Sequence, residues 1–428
     1  MGRFIIEGGN RVSGEVTPSG NKNEALPTLA ACLLTEETVV LDNLPRIRDV
    51  LVMCEVLRDL GAGVEWTGPN QASITASQVN KSVLDRELCG RVRASVLFAG
   101  PVMARLGEVE LPPPGGDVIG RRKLDTHFTA FQSLGAQLEV GESYRLHASR
   151  LEGAEMFLDE ASVTGTENAL MAAVLACGTT VIENAACEPH VQGLCRMLES
   201  MGARISGIGT NILTVTGVDR LHGTTHRIGP DYLEVGSFIG LAGIMGDGLV
   251  IHDVIPRDLR KIRTVFDKLG VGIELSGTDC LVKGGQAPAI RTDLHGVVPQ
   301  IDDAPWPQFP TDLMSIAIVT ATRSKGTVLF FEKMYEGRMF FVDSLISMGA
   351  SIILCDPHRV VVAGPSNLFG ATLRSPDIRA GMALLIACLA ASGRSVMHNI
   401  EQIDRGYERI DDKLKAIGAR IERVEGPA

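Results

Sequence analysis

Aromatic side chains are scarce: four tyrosines and two tryptophans in 428 residues leave the cores to be built from aliphatic groups. No two cysteines are spaced C-x-x-C, and the nine present, an odd number, suit neither a disulfide framework nor a zinc site. Most lie in apolar runs such as Leu29-Ala30-Ala31-Cys32-Leu33, where a thiol acts as a small buried hydrophobe. No apolar run approaches the ~20 residues needed to span a bilayer. The first residues, Met1-Gly2-Arg3-Phe4-Ile5-Ile6-Glu7, contain no apolar core of a secretory signal. A cytoplasmic protein with no membrane association is expected. Basic charge is also short, 41 Lys and Arg against 51 Asp and Glu, for a net charge of −10. That balance speaks against the basic stripe of a nucleic-acid surface. A phosphate-binding G-x-x-x-x-G-K-[ST] loop, a dinucleotide glycine fingerprint and a G-x-S-x-G elbow are all missing, so kinase, dehydrogenase and serine-hydrolase readings fall away. No metal or cofactor is implied.

Glycine, by contrast, is abundant, with 47 copies, and part of it is periodic. A helix end, an apolar residue, a glycine and a strand recur at Leu60-Gly61-Ala62, Leu134-Gly135-Ala136, Met201-Gly202-Ala203, Leu269-Gly270-Val271, Met348-Gly349-Ala350 and Ile417-Gly418-Ala419. The intervals are 74, 67, 68, 79 and 69 residues, and each glycine reads as a left-handed cap. In the same phase, β-branched strands such as Thr180-Val181-Ile182 follow helices apolar on every side, such as Ala169 to Ala176 and Met382 to Ala390. Helices with a charged face, such as Asp404 to Ile417, come after the strands. A helix apolar all round is buried, and an amphipathic one covers it. The chain is therefore expected to be an α/β protein of six βαβαββ-like repeats, three in each of two domains. Residues 21–229 would form one domain. Residues 1–20, read as two strands, would join 230–428 to complete the other, with a hinge near 20 and 230. A solenoid of six equal repeats is the competing reading, disfavoured because solenoid repeats are rarely so long.

The predicted inner helices begin at Asn21-Lys22-Asn23-Glu24, Arg91-Val92-Arg93, Thr164-Gly165-Thr166-Glu167-Asn168, Asp231 with Glu234, Pro310-Thr311-Asp312 and Asp377-Ile378-Arg379. Thr166, Thr311 and Asp312 read as plain N-caps. Lys22, Arg93 and Arg379 do not, because a cation opposes the helix dipole at that end, and a bound phosphate or carboxylate removes the conflict. Two domains with such helix tips facing each other would form an anion-binding cleft closed by the hinge. The segment 112–127 is the most distinctive loop. Pro112-Pro113-Pro114 stiffen its base, Gly115, Gly116 and Gly120 allow movement or close backbone approach, and Asp117, Arg121, Arg122, Lys123, Asp125 and His127 follow.

Asn21-Lys22-Asn23, Arg93-Ala94-Ser95, the Pro-Gly-Gly-x-x-Ile-Gly loop ending in Asp125-x-His127, Ser162-Val163, Phe309-Pro310-Thr311-Asp312 and Asp404-Arg405-Gly406-Tyr407-Glu408-Arg409 together resemble the UDP-N-acetylglucosamine 1-carboxyvinyltransferase family. The likeness runs from about residue 3 to 425. It implies a two-domain inside-out α/β barrel and transfer of an enolpyruvyl group from phosphoenolpyruvate to the 3-hydroxyl of UDP-N-acetylglucosamine, the first committed step of peptidoglycan synthesis and so of cell-wall growth and division. The resemblance places Lys22, Arg122 and Arg405 on phosphoenolpyruvate, with Asn23 and Arg379 nearby. Asp312 takes or orients the hydroxyl proton, and Arg93, Leu124, Asp125, Ser162, Val163 and Met334 hold the UDP-sugar.

Asp117 stands where most members carry a cysteine on the mobile loop. A carboxylic acid can donate the proton, and insensitivity to the epoxide fosfomycin, which alkylates that cysteine, is expected. Lys123, Thr126, Glu160 and Thr164-Gly165 also depart from the commonest family residues around the nucleotide. They leave room for another acceptor, a nucleotide of antibiotic biosynthesis. Shikimate-3-phosphate, the other alternative, is disfavoured, because enzymes acting on it usually start the first helix Lys-Ser rather than Lys22-Asn23 and lack the Pro-Gly-Gly loop. A non-catalytic or RNA-end-processing protein on a related fold is the remote alternative.

Overall fold

The computed structural model describes residues 2–116, 120 and 123–426. It divides into two compact units: residues 20–116 with 123–229, and residues 2–19 and Gly120 with 230–426.

The first unit holds the inner helices α1 (Lys22–Ala31), α2 (Ala99–Leu106) and α3 (Val163–Ala173), and the second holds α4 (Tyr232–Met245), α5 (Met314–Ala321) and α6 (Ile378–Ala390). Their composition explains where they sit. Every residue of α5 is buried, and so is α6 from Ile378 through Leu389. In the second unit all three inner helices touch one another; in the first, α3 packs on α2 and on α1. Aliphatic side chains dominate both cores, and burying each is worth roughly 1.5–3 kcal/mol.

The described residues form six small sheets around these helices. Strand Thr38–Asp42, for example, pairs parallel with Thr225–Arg227 and antiparallel with Gln71–Thr75. In the second unit Gly326–Phe331 pairs parallel with Gln300–Asp302 and antiparallel with Arg359–Gly364. The first two strands of the chain serve different sheets. Arg3–Glu7 lies antiparallel between Arg394–His398 and Arg420–Val424, whereas Val12–Val16 runs parallel to Gly246–Ile251.

Six outer helices end on the six periodic glycines. Gly61, Gly135, Gly202, Gly270, Gly349 and Gly418 all have φ between 88° and 103°. In each copy the next residue's N–H reaches back five residues, from Ala62 to the Leu57 carbonyl through Ala419 to Leu414, at 2.9–3.0 Å. This double-bonded helix end needs a left-handed residue, which glycine supplies without a Cβ penalty.

Two local expectations change. Asp404 to Ile417 is not one helix: a 3-10 stretch, Ile400–Arg405, precedes a short α-helix, Ile410–Ala416, and Arg409 between them has φ 47°. Nor do Thr166, Thr311 and Asp312 cap. Asn21, Ser162, Asp231 and Asp377 cap α1, α3, α4 and α6 with their side chains. The Thr166 hydroxyl instead accepts from the Ala186 N–H at 2.9 Å, and Thr311 and Asp312 sit in a 3-10 turn leading into α5.

Candidate active site

In the second unit the turn Thr311–Leu313 lifts Asp312 to the start of α5. Asp312 Oδ1 accepts from Arg338 Nη2 at 2.6 Å, and Oδ2 accepts from Arg379 Nε at 3.0 Å. Arg379 belongs to the first turn of α6, where Asp377 caps by accepting from the N–H groups of Arg379 and Ala380 at 2.8 and 2.9 Å. A cation at this end of a helix is unfavourable by itself; Asp312 and the Asp377 cap offset it. Burial acts against the Arg379 charge, but Asp312 beside it prevails and the guanidinium is held more strongly protonated than usual. Its face lies 5.5 Å from the Tyr407 ring centre, and the Tyr407 hydroxyl is 2.9 Å from that of Ser237. Among the described residues, Arg338 Nε and Arg379 Nη1 are buried without an acceptor. Two guanidiniums thus share one carboxylate and keep donors to spare, which is a demand for a further anion.

Also in the second unit, Arg405 closes the 3-10 stretch Ile400–Arg405, half-buried, and donates to Gln402 Oε1 at 3.0 Å. Asp231 caps α4, and burial pushes its carboxyl upward while Arg379 opposes the shift. Met334 is exposed, on the strap 333–338 that carries Arg338.

In the first unit Lys22 opens α1 almost fully buried, with Nζ 2.8 Å from Asp49 Oδ2. Asn21 caps the helix and Asn23 is half-buried next to Lys22. Arg93 starts the 3-10 stretch Arg93–Phe98, and its Nη2 donates to the Lys123 carbonyl at 3.3 Å. Leu124 is buried, and Asp125 is exposed as the first residue of the helix Asp125–Ser133. Ser162 caps α3 by accepting from the Gly165 N–H at 3.2 Å, which leaves Val163 half-buried as its first residue. The base of loop 112–127 needs its glycines for closeness. A Cβ on Gly115 would stand 1.9 Å from the Gly90 carbonyl oxygen, and one on Gly116 2.7 Å from Arg93 Cβ.

A neutral network ties these segments together. Asn168 on α3 accepts from the Gly100 N–H at 3.0 Å and donates to the Val96 carbonyl at 2.9 Å. Its Nδ2 also lies 2.8 Å from His127 Nδ1, and His127 Nε2 is 3.2 Å from the Thr164 hydroxyl. With Asn168 Oδ1 already accepting, Nδ2 must donate to Nδ1, so the imidazole carries its proton on Nε2 and donates to Thr164. Burial, helped by the charge of Arg93, pushes the imidazole down to about 3 and keeps it neutral. Thr126 and Thr164, two of the positions that depart from the commonest family residues, thus have internal partners. The Thr126 hydroxyl donates to Asp159 at 2.8 Å and Thr164 meets His127.

Within the second unit the structure brings Asp312 and Arg379 together; within the first, Arg93 with the 123–125 segment and Lys22 with a carboxylate of its own. Asp117 and Arg122 lie outside the described residues. Three participants were not singled out in the sequence. Arg338 sits in an irregular strap with no periodicity to mark it. Asp49, in the first turn of the outer helix Arg48–Asp59, reads there as an ordinary dipole partner. Asn168 stands out in the sequence only as part of a helix start, although a buried amide on an inner helix is itself a signal.

The model of the family described as EPSP synthase (3-phosphoshikimate 1-carboxyvinyltransferase) matches residues 6–414. Curated relatives are closer in kind. A protein of Treponema denticola named UDP-N-acetylglucosamine 1-carboxyvinyltransferase is 55% identical over 425 residues, 99% of this chain and 100% of the relative. The chain belongs to the UDP-N-acetylglucosamine 1-carboxyvinyltransferase family. Another member of that family, from Bradyrhizobium diazoefficiens, is 54% identical across 99% of this chain and 98% of its own length. Among solved structures, the enolpyruvyl transferase NikO from Streptomyces tendae matches with a TM-score of 0.88 at 23% identity, covering 100% of both chains. EPSP synthase from Acinetobacter baumannii matches with a TM-score of 0.76 at 18% identity, covering 99% of this chain and 100% of its own. These two likenesses carry the fold. It is the enolpyruvyl transferase fold, as the carboxyvinyltransferase resemblance implied. No helix among the described residues is long and apolar enough to cross a membrane.

Proposed function

We propose that this chain transfers the enolpyruvyl group of phosphoenolpyruvate to the 3-hydroxyl of UDP-N-acetylglucosamine and releases phosphate, in the cytoplasm, as the committing step of peptidoglycan synthesis. The observation that carries the reading is the Asp312 carboxylate between Arg338 and Arg379, with Arg338 Nε and Arg379 Nη1 buried and without an acceptor among the described residues. That arrangement supports a small anion, such as the carboxylate of phosphoenolpyruvate, docking on the two guanidiniums. Lys22, Arg122 and Arg405 take its phosphate, and Asn23 lies beside them. Arg93, Leu124, Asp125, Ser162, Val163 and Met334 hold the UDP-sugar.

In the proposed reaction Asp117 donates a proton to the methylene carbon of phosphoenolpyruvate, which makes the neighbouring carbon electrophilic. The sugar 3-hydroxyl then adds to that carbon while Asp312 takes its proton. Two guanidiniums occupy both oxygens of Asp312. An arriving carboxylate that draws one of them away frees Asp312 to accept. The tetrahedral adduct then returns a methyl proton to the Asp117 carboxylate, the C–O bond to phosphate breaks, and the enolpyruvyl ether and phosphate result. The cations hold the negative charge that accumulates on the phosphate as it leaves.

Phosphate release from phosphoenolpyruvate, measured side by side with UDP-N-acetylglucosamine, shikimate-3-phosphate and UMP, tests the reading. Release with the UDP-sugar alone is expected, and release with either of the others in its place would overturn the acceptor. Fosfomycin is expected to leave activity intact, and Asp117→Cys to gain sensitivity. A covalent adduct at residue 117 of the unaltered protein would contradict the assignment of Asp117 as the acid.

A further inference from the structure

Behind Asp312 lies a second acidic group that the reaction above does not use. Glu332 follows the strand Gly326–Phe331 and is fully buried, as is Asp303. The Thr311 hydroxyl sits 3.0 and 2.9 Å from the two Glu332 carboxyl oxygens. The N–H groups of Met334 and Tyr335 donate to Glu332 Oε1, each at 3.1 Å. One side chain therefore grips the residue preceding Asp312 and the first turn of the strap that delivers Arg338. Asp303, within hydrogen-bond reach of Glu332, accepts the Lys333 N–H on Oδ1 at 2.6 Å, and no donor among the described residues serves its Oδ2. Two buried carboxyls this close hold together only if a proton lies between them, and such a proton gives Oδ2 its missing donor.

We propose that Glu332 and Asp303 form a positioning pair, sharing one proton, that sets the geometry of Asp312 against Arg338 and so limits turnover to the pH range in which the proton is retained. The inference rests on the function proposed above and adds a residue pair to it. Burial and then Asp303 raise the Glu332 carboxyl to about 8, while Arg338 and the Thr311 hydroxyl oppose the rise. The other charged or titratable groups nearby do not replace the proton. Lys333 pairs with Asp302, the His358 ring meets the Glu332 backbone carbonyl at 2.7 Å, and Asp377 and Tyr335 act on Arg338. Raising the pH through this range leaves two buried charges of one sign, whose repulsion loosens the strap and with it Arg338.

The test is the pH profile of kcat for phosphate release, with Glu332→Gln and Asp303→Asn beside the unaltered protein. In the unaltered protein kcat should fall at least fivefold between about pH 7 and about pH 9.5. Glu332→Gln keeps a donor toward Asp303 at every pH, so its kcat ratio across that interval should stay within about twofold. Asp303→Asn should likewise flatten the limb. A limb of unchanged midpoint in both variants would overturn the proposal. If both variants misfold, the infrared carbonyl stretch of protonated carboxylic acid in the unaltered protein decides. It should titrate away near pH 8, and its absence at neutral pH would refute the shared proton. Failure of the functional reading looks different, because no phosphate would then be released at any pH.

Discussion

At the start of α1 one buried lysine meets one carboxylate, whereas at the start of α5 and α6 two arginines share a single aspartate. In the first unit Lys22 Nζ and Asp49 Oδ2 meet at 2.8 Å. In the second, Arg338 Nε and Arg379 Nη1 are buried donors left over among the described residues. The first unit has another difference: its 123–127 and 162–168 segments are joined by a neutral amide–imidazole–hydroxyl chain. Spare guanidinium donors suit a small anion, and fixed neutral donors and acceptors suit a polar ligand recognised by shape.

The largest expected effect falls on the side with the spare donors. Arg379→Met removes one of the two guanidiniums, and kcat/KM for phosphoenolpyruvate should drop on the order of 10³-fold at saturating UDP-sugar. A loss under about tenfold would mean that the spare donors of the second unit bind no anion in turnover. In the first unit, Lys22→Met removes the cation that faces the buried Asp49 and should cost about 3–5 kcal/mol in urea unfolding. Lys22→Met with Asp49→Leu should recover most of that stability while activity stays lost, since a matched apolar pair replaces a matched ionic one. Equal instability of the single and double variants would break the pairing.

Next in size is a pH effect on the neutral network. The folded-state value of His127 lies near 3, below the unfolded value of about 6.5, so the unfolded chain binds the extra proton first. The stability from the neutral imidazole is present above about pH 6.5 and is lost as pH falls toward 3, about 2 kcal/mol by pH 5. Denaturant midpoints at the two ends of that range should show the slope, and His127→Gln should remove it. The smallest effect concerns Arg91, two residues from Arg93 and paired with Glu55 on the surface at 2.6 Å. Arg91→Ala should change unfolding free energy by less than about 1 kcal/mol and leave turnover unaltered, which separates a solvated ion pair from the buried ones.

Much of this architecture is legible in the chain. The six glycines announce six helix ends because only a residue without Cβ takes a φ near 100° at so little cost, and that constraint is local. The apolar inner helices announce their own burial. Lys22 and Arg379 stand out because a cation at a helix start conflicts with the dipole. Other features leave no local trace. Asp312 reads as a cap, and only its contacts with Arg338, 26 residues later, and Arg379, 67 residues later, show that it neutralises rather than caps. Glu332 looks like any acidic residue after a strand until Asp303 is seen beside it.

The sequence by itself determined the repeat, its glycine-capped helix ends, the aliphatic inner helices and, through its motifs, the family. These depend on backbone propensity and on hydrophobic period, both set by neighbours in the chain. Tertiary structure alone decided which carboxylate meets which cation, which nitrogen of His127 carries the proton, and that two acids must share one. Electrostatic and hydrogen-bond energies depend on distances across the fold and on exclusion of water, and neither is written in the order of residues.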